Sequence, residues 1–314
     1  MKLASAIREF VDYSQALGKI YRTESYQLKA FLRLTGDIEL RKLTPDHVEK
    51  HLRGKGGPVT TAWLSRYTTL NTFFRYAISR DYMQMSLLPT SVPKMPAKFL
   101  PYLYSVEEIR RLVGISDPCY RPIAILSPPT VRTLILLLYG TGLRLGETTK
   151  LKLRDVDLKE GVLTIRQTKF FKSRFVPVGP DLLQVLRLYS ELHWSGKART
   201  PESPFFCTRK ATPMTVDHAH HMFQWLRTEA GVFRFDGGRF QPRLHDFRHT
   251  FAVTRLVTWY REGKDVQRLL PHLSTYLGHI HIGSTARYLN MTKELLHEAS
   301  HCFERYALAE VNNG

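Results

Sequence analysis

Two histidine-centred segments near the C-terminal end hold the residues best suited to chemistry. His245 and Arg248 are three residues apart in the first, His279 ends a Leu-Gly-His run in the second, and Tyr288 stands nine residues after His279. An arginine fork can hold two phosphate oxygens, a histidine can accept a proton near neutral pH, and a phenol becomes a nucleophile once it is deprotonated. These residue types predict chemistry on a DNA phosphodiester.

Further charged residues in the middle of the chain fit the same chemistry. Arg144 ends a Thr-Gly-Leu-Arg run, Glu147 follows three residues later, and Lys169 lies in the polar stretch 167–173. A second guanidinium could clamp the same phosphate as Arg248, and an ammonium is a suitable general acid for the leaving sugar oxygen. Each residue alone is more typical of a solvated or structural side chain, so the case depends on their order and spacing.

The first hundred residues are predicted to be helical. Apolar residues recur at helical spacing over 3–17 and again over 28–34, a Thr-Pro-Asp cap at 44–46 starts a short helix, and a longer helix follows over 59–77. Four prolines interleaved with lysines then block helix formation. We therefore expect a helical domain over 1–88 and a proline-rich linker over 89–104.

The elements that must position the chemical residues lie in a second domain, 105–314. Ser105 and Glu108 form a capping-box pattern, and a buried helix is expected from Pro129 to Tyr139. The β-rich runs 162–165 and 174–178 predict a hairpin with a basic tip that carries Lys169. Helical patterns follow at about 180–193, 215–230, 245–261, 283–290 and 293–307. The expected fold class is mainly α with a small β-sheet.

Composition points to a polyanionic partner. The 314 residues include 46 basic and 28 acidic side chains, a formal net charge of +18 that extends over both domains. No apolar run is long enough to span a bilayer and no secretory signal is visible, which predicts a soluble, cytoplasmic, DNA-associated protein without membrane contact. Three isolated cysteines and the histidines near 220 lack metal-ligand spacing, so we expect no metal and no cofactor.

Taken together, the motifs resemble the tyrosine recombinase family, also called phage integrases. The matching order is Gly-Leu-Arg with a nearby Glu, a hairpin lysine, His-x-x-Arg, Leu-Gly-His and a tyrosine nine residues on. The motifs extend from about Tyr139 to Tyr288, and the basic N-terminal unit is similar to that family's core-binding domain. The resemblance implies an all-helical core-binding domain followed by a mixed, mostly α catalytic domain with a C-terminal docking helix.

The resemblance also implies a role for each residue. Tyr288 would be the nucleophile that forms a 3′-phosphotyrosine, His245 the base near it, and Lys169 the general acid. The remaining roles are phosphate binding by Arg144 and Arg248, hydrogen-bonding support by His279, and support of the first arginine by Glu147. Lys172 competes with Lys169, and Tyr260, Tyr276 and Tyr306 compete with Tyr288.

The expected function is site-specific DNA recombination or integration through a covalent intermediate. The alternatives are relaxation of DNA like a type IB topoisomerase, and DNA binding without catalysis. The resemblance implies double-stranded DNA as partner and a homotetramer on two duplexes; a monomer or weak dimer without DNA and accessory DNA-bending proteins stay open. Two irregular segments, 114–130 and 233–243, depart from the family pattern and are candidates for extra DNA or protein contacts.

Overall fold

The computed structural model divides the chain into two compact units, Met1–Lys98 and Phe99–Gly314. In the part of the chain that it describes, no helix is long and apolar enough to cross a membrane. The described residues are 1–54, 56, 59–94, 100–115, 125–166, 173–194, 199–238, 240–290, 295, 297, 298 and 300.

The described part of the first unit is helical, as its apolar periodicity predicts. Its core is a cluster of fully buried side chains that includes Leu3, Leu28, Phe31, Phe73 and Phe74. Burying such large apolar groups is the main force that holds a helical unit of this size together. The helices are α1 (Leu3–Ala16), α2 (Arg22–Thr35), α3 (Pro45–Arg53) and α4 (Thr61–Ser79), with a 3-10 turn at Leu40–Lys42.

The second unit combines helices with a small antiparallel sheet of order β1-β2-β3. The fold class predicted from the sequence, mainly α with a small β-sheet, is confirmed. The strands are β1 (Val156–Asp157), β2 (Val162–Ile165) and β3 (Arg174–Pro177). The helices are α5 (Val106–Ile115), α6 (Pro128–Thr141), α7 (Leu145–Thr148), α8 (Pro180–Trp194), α9 (Val216–Glu229), α10 (Asp246–Arg261), α11 (Val266–Leu277) and α12 (Gly283–Ala286), with 3-10 turns at Leu153–Asp155 and Arg287–Asn290.

Two local structures that the sequence predicts are present, a helix cap and a strand pair. The Ser105 hydroxyl accepts from the Glu108 backbone and the Glu108 carboxylate accepts from the Ser105 backbone, which completes the capping box of α5. Strands β2 and β3 pair antiparallel with Leu163 opposite Val176. The tip of this hairpin, including Lys169 and its competitor Lys172, lies outside the described residues.

Helix α11 is absent from the sequence-based assignment. Pro271 lies inside it, and a proline removes one helical hydrogen bond and argues against a helix. The helix forms because Val266, Leu270, Leu273 and Leu277 make one buried stripe, which packs in a cluster that also contains residues of α10. Their spacing of four, three and four residues is the signal that could have identified it.

Strand β1 was also not predicted. Only four residues of the predicted last helix, 293–307, are described, and these four are helical.

Candidate active site

The first turn of α10 is fixed by a buried carboxylate. Asp246 is fully buried and accepts hydrogen bonds from the backbone and the guanidinium of Arg243. This arrangement holds the start of the helix against the core, where His245 precedes the first helical residue and Arg248 lies one turn later. The His-x-x-Arg motif therefore lies at the N-terminal end of a well-anchored helix.

The C-terminal end of α11 collects three arginines from three different elements. The last carbonyls of a helix have no partner within it, and the helix dipole makes this end negative. Guanidinium donors satisfy these carbonyls here, and the dipole offsets part of the repulsion between the arginines. The bonds run from Arg174 Nε to Tyr276 O at 2.8 Å, from Arg248 Nη2 to Leu277 O at 2.6 Å, and from Arg144 Nη2 to Gly278 O at 2.9 Å.

Both glycines of the motifs are required by this arrangement. Gly278 ends α11 at φ +66°, and a Cβ there would lie 2.7 Å from Arg174 Nη1. Gly142 ends α6 at φ +61°, and its carbonyl accepts from Arg248 Nη1 at 2.9 Å. Only glycine adopts this left-handed conformation without strain. The Gly-Leu-Arg and Leu-Gly-His motifs thus encode the backbone turns that receive the guanidiniums.

Glu147 connects two of the three arginines. Its carboxylate accepts two bonds from Arg174, at 3.0 and 2.7 Å, and one from Arg144 Nη1 at 2.8 Å. Burial alone would raise the pKa of Glu147, but the hydrogen bonds and charges of Arg174 and Arg144 outweigh it and hold the pKa below its usual value. The ionised carboxylate keeps both guanidiniums in place beside Gly278.

Arg248 is the most buried of these cations, with 2% of its surface exposed. Burial and then the charge of Arg144 lower its pKa to about 10, so it is still a cation at neutral pH. Its two backbone acceptors, on Gly142 and Leu277, take two of its five N–H donors and fix the plane of the fork. A rigid charge of this kind is suited to binding an anion in a fixed place.

His279 follows directly on the helix end and is neutral. Burial, and then the charges of Arg248 and Arg144, lower its pKa to about 3. Its Nδ1 lies 2.6 Å from the hydroxyl of Thr285, a fully buried residue of α12. That contact fixes the orientation of the ring and leaves the other ring nitrogen for a further partner.

Tyr288 lies against this cluster with 2% of its surface exposed. Its ring is stacked on His279, with centroids 6.2 Å apart, and lies 5.5 Å from the ring of His249. Burial raises the pKa of Tyr288, and the charges of Arg248 and Arg287 offset only part of this increase. The phenol is therefore protonated at neutral pH and sits next to the most buried arginine.

Two histidines stand one helical turn apart at the start of α10. His245 is exposed to solvent, and its ring centroid lies 4.9 Å from that of His249. Partial burial and the charge of Arg248 lower the pKa of His245. His249 is buried, its pKa is lowered to about 3 by burial and then by His245, and its Nδ1 has no hydrogen-bond partner among the described residues. Both rings are neutral bases at physiological pH.

The structure thus brings together most of the residues selected from the sequence. Arg144, Glu147, Arg248, His279 and Tyr288 form one cluster, and His245 adjoins it through His249. Of the competing tyrosines, Tyr276 stacks on Phe251 and offers its carbonyl to Arg174, Tyr260 lies in the last turn of α10, and Tyr306 lies outside the described residues.

Arg174 is the residue that sequence reasoning missed. The sequence pattern assigns it no role beyond the start of the β-rich run 174–178, yet it is the first residue of β3 and 90% of its side chain is buried. Its position directly before the apolar run Phe-Val-Pro-Val, at the base of the hairpin, was the available signal. A cleft of about 780 Å³ opens beside it, lined by Arg144, Arg174, Lys150, His279 and His281 among others.

Comparison with known proteins shows the family of the chain. The model of the phage integrase family matches residues 105–294. The chain is 36% identical to "Putative integrase/recombinase y4rB" of Sinorhizobium fredii, over 96% of each chain, and 28% identical to tyrosine recombinase XerA of Thermococcus kodakarensis, over 93% of each.

Solved structures are similar in fold over most of the chain. The integrase of transposon Tn1549 bound to transposon end DNA matches 98% of this chain and 100% of its own at a TM-score of 0.69 and 17% identity. A lambda integrase dimer bound to a core site matches 93% and 97% at a TM-score of 0.66 and 18% identity. At such identities the likeness concerns the fold.

Proposed function

The chain belongs to the phage integrase, or tyrosine recombinase, family, and from this premise we propose that it is a site-specific DNA recombinase. It cleaves and rejoins DNA through a covalent 3′-phosphotyrosine, so that integration, excision or resolution needs no external energy. The observation that carries the proposal is the buried cluster in which Tyr288 stacks on His279 and lies close to the guanidinium of Arg248, with Arg144 near enough to act on the phenol by its charge. A phosphate bound by these donors would lie beside the phenol, which becomes a nucleophile once it is deprotonated.

Charge stabilisation comes from the two arginines. In-line attack on a phosphodiester increases the negative charge on its nonbridging oxygens, and rigid donors already aimed at that charge lower the barrier. Arg144 and Arg248 meet this requirement because carbonyls at the end of α11 and a carboxylate fix them before DNA arrives. Neutral His279 adds a hydrogen bond to the phosphate through the ring nitrogen that does not contact Thr285.

Proton transfer is assigned to His245 and Lys169. The raised pKa of Tyr288 keeps the phenol protonated in the free protein, so attack requires a base. His245 is neutral and exposed beside the cluster, which suits it to take that proton. Lys169 protonates the leaving 5′ oxygen; its placement in this role comes from the family motif.

Rejoining conserves the energy of the broken bond. The phosphotyrosine replaces one phosphoester by another, and the free 5′ hydroxyl of a second strand attacks it and releases Tyr288. We propose that four copies act on two duplexes. Support comes from the solved relatives, which are named as a lambda integrase dimer on a core site and a lambda integrase tetramer on a Holliday junction.

Trapping the covalent intermediate tests the proposal. A duplex that the wild-type chain selects from a random library is nicked close to the cleavage position, so that the released fragment diffuses away, and incubated with the protein in a chelating buffer. We expect a protein adduct on the 3′ phosphate that is absent from Tyr288→Phe. Tyr276→Phe is the matched control, since Tyr276 lies in the neighbouring helix and should retain the adduct. An adduct with Tyr288→Phe would refute the assignment.

The alternatives give different outcomes in two further assays. Exchange of ends between two marked duplexes indicates recombination, whereas relaxation of a supercoiled plasmid without exchange indicates topoisomerase activity. A protein that only binds DNA forms no adduct. The retention of Arg144, His245, Arg248, His279 and Tyr288 together disfavours that last alternative.

A further inference from the structure

The loop between α9 and α10 presents three phenylalanines to solvent. Phe235 is 90% exposed, Phe240 40% and Phe233 36%, and the rings of Phe233 and Phe235 lie 6.3 Å apart. The loop belongs to the irregular segment 233–243, which the proposed reaction does not use. One exposed aromatic ring would need no explanation, but three on one loop form an apolar patch of the kind that marks an interaction site.

Side-chain hydrogen bonds fix the conformation of this loop. The Arg234 side chain is 5% exposed and donates through Nη1 to the Leu100 carbonyl at 2.9 Å and through Nη2 to Asp236 at 3.0 Å. The Gln241 amide closes the loop, because it accepts from the Arg234 backbone N–H at 3.0 Å and donates to the Arg234 carbonyl at 3.2 Å. A Cβ on Gly238 would collide with the Arg234 guanidinium. Arg234 thus anchors the loop from within while its neighbour Phe235 is held outward.

This aromatic surface continues into the candidate active site. The Arg243 guanidinium lies over the ring of Phe240, 5.1 Å from its centroid, and also binds Asp246, the first residue of α10. His245 lies between Arg243 and Asp246 in the chain. The loop therefore ends beside the group proposed to activate the nucleophile, at the position where DNA must lie during cleavage.

We propose that Phe235, supported by Phe233 and Phe240, inserts as an apolar wedge at a base step of the duplex next to the cleaved phosphate and stacks on a base that it partly unstacks. The inference rests on the proposed function and adds a contact to bases that phosphate binding does not provide. Phenylalanine is one of the apolar side chains that insert at base steps of duplex DNA, and the inserted ring then stacks on the base that it exposes. The segment 233–243 has three arginines and one acidic residue, Asp236, which is engaged by Arg234. The net charge of +18 and the position of the loop next to His245 favour DNA as the partner over an apolar protein surface.

Equilibrium binding in the full chain tests the contact. All proteins carry Tyr288→Phe, so that no cleavage occurs, and the probe is the selected duplex with 2-aminopurine at successive positions around the cleavage site. Phe235→Ala is expected to weaken binding about 5- to 150-fold, the range found when one base-stacking aromatic is lost. The dependence of affinity on salt should not change, because phenylalanine neutralises no phosphate. The 2-aminopurine fluorescence at one position should also change, and Phe235→Trp should restore binding.

Leu192→Ala is the matched control, because Leu192 is a large apolar side chain that is 68% exposed on a different element, α8. Equal affinity and equal 2-aminopurine fluorescence for Phe235→Ala and Leu192→Ala would overturn the proposal. Unchanged binding combined with a loss of protein assembly on DNA would also overturn it and assign the loop to a protein partner. The adduct assay is then repeated with Tyr288 present. If the chain binds DNA through Phe235 but forms no adduct, the proposed function is wrong and the base contact is still supported.

Discussion

Replacing Arg174 by alanine tests whether a buried ion pair maintains the phosphate-binding cluster. The side chains of Arg174 and Glu147 are 10% and 11% exposed and share two hydrogen bonds, and Arg174 makes a third to Tyr276 O. Removing one partner of a buried pair costs about 3–5 kcal/mol, because a charge is left without its counterion. Since Glu147 keeps its bond to Arg144, we expect the lower end, about 3 kcal/mol of unfolding free energy.

Urea unfolding measures this loss. In a Trp63→Phe background the remaining tryptophans, 194, 225 and 259, all lie in the second unit, so their fluorescence reports that unit. A double-mutant cycle with Glu147→Gln isolates the pair, with an expected coupling of about 1–3 kcal/mol. The control is Arg110→Ala, which removes an exposed pair with Glu107 and should cost less than about 1 kcal/mol.

Acidification gives an independent check of the same pair. The pKa of Glu147 is lower in the folded state than its ordinary value of 4.5. Its ionised form therefore contributes stability that is fully present above pH 4.5 and is lost as the pH falls through the folded value. The coupling should be constant from pH 8 to about 6 and decrease below about 4.5. A coupling near zero at neutral pH, or one that increases on acidification, would refute the reasoning.

Three further substitutions test other parts of the cluster. Gly278→Ala should lower the melting temperature more than Gly263→Ala. Both glycines have φ near +65°, but only a Cβ at position 278 would collide with a neighbour, Arg174. Equal decreases would show that this collision does not affect stability. The pKa of His249 is lowered from 6.5 to about 3 in the folded protein, so the wild-type chain loses free energy of unfolding as the pH falls below 6.5. In His249→Phe this loss between pH 7 and pH 5 should be smaller by about 2 kcal/mol. Urea unfolding at both pH values measures the difference. Arg248→Lys should slow single-turnover adduct formation about 100- to 1,000-fold, because an ammonium lacks the rigid planar fork that bonds both carbonyls and a phosphate in fixed directions. A rate within tenfold of wild type would contradict this reasoning.

Much of the fold could be predicted from local patterns. The cap at Ser105, the β2-β3 pairing and most helices follow from signals within a few residues, and such signals act before the chain is packed. Helix α11 could not be assigned in this way, because Pro271 weakens the local preference and only contact with α10 compensates. Arg174 was missed for a related reason, since its partners Glu147 and Tyr276 are 27 and 102 residues away.

The sequence by itself determined the chemical inventory: the order and spacing of Arg144, His245, Arg248, His279 and Tyr288, and the strong positive charge. These properties are covalent or local, so they can be read along one chain. Only the tertiary structure decided how the inventory is held. Three neighbouring guanidiniums repel one another, and acceptors from distant segments must offset that repulsion. The carbonyls at the end of α11 and the carboxylate of Glu147 do so. Burial in the same cluster also keeps the phenol of Tyr288 protonated and its histidine neighbours neutral, because desolvation is a property of the packed molecule.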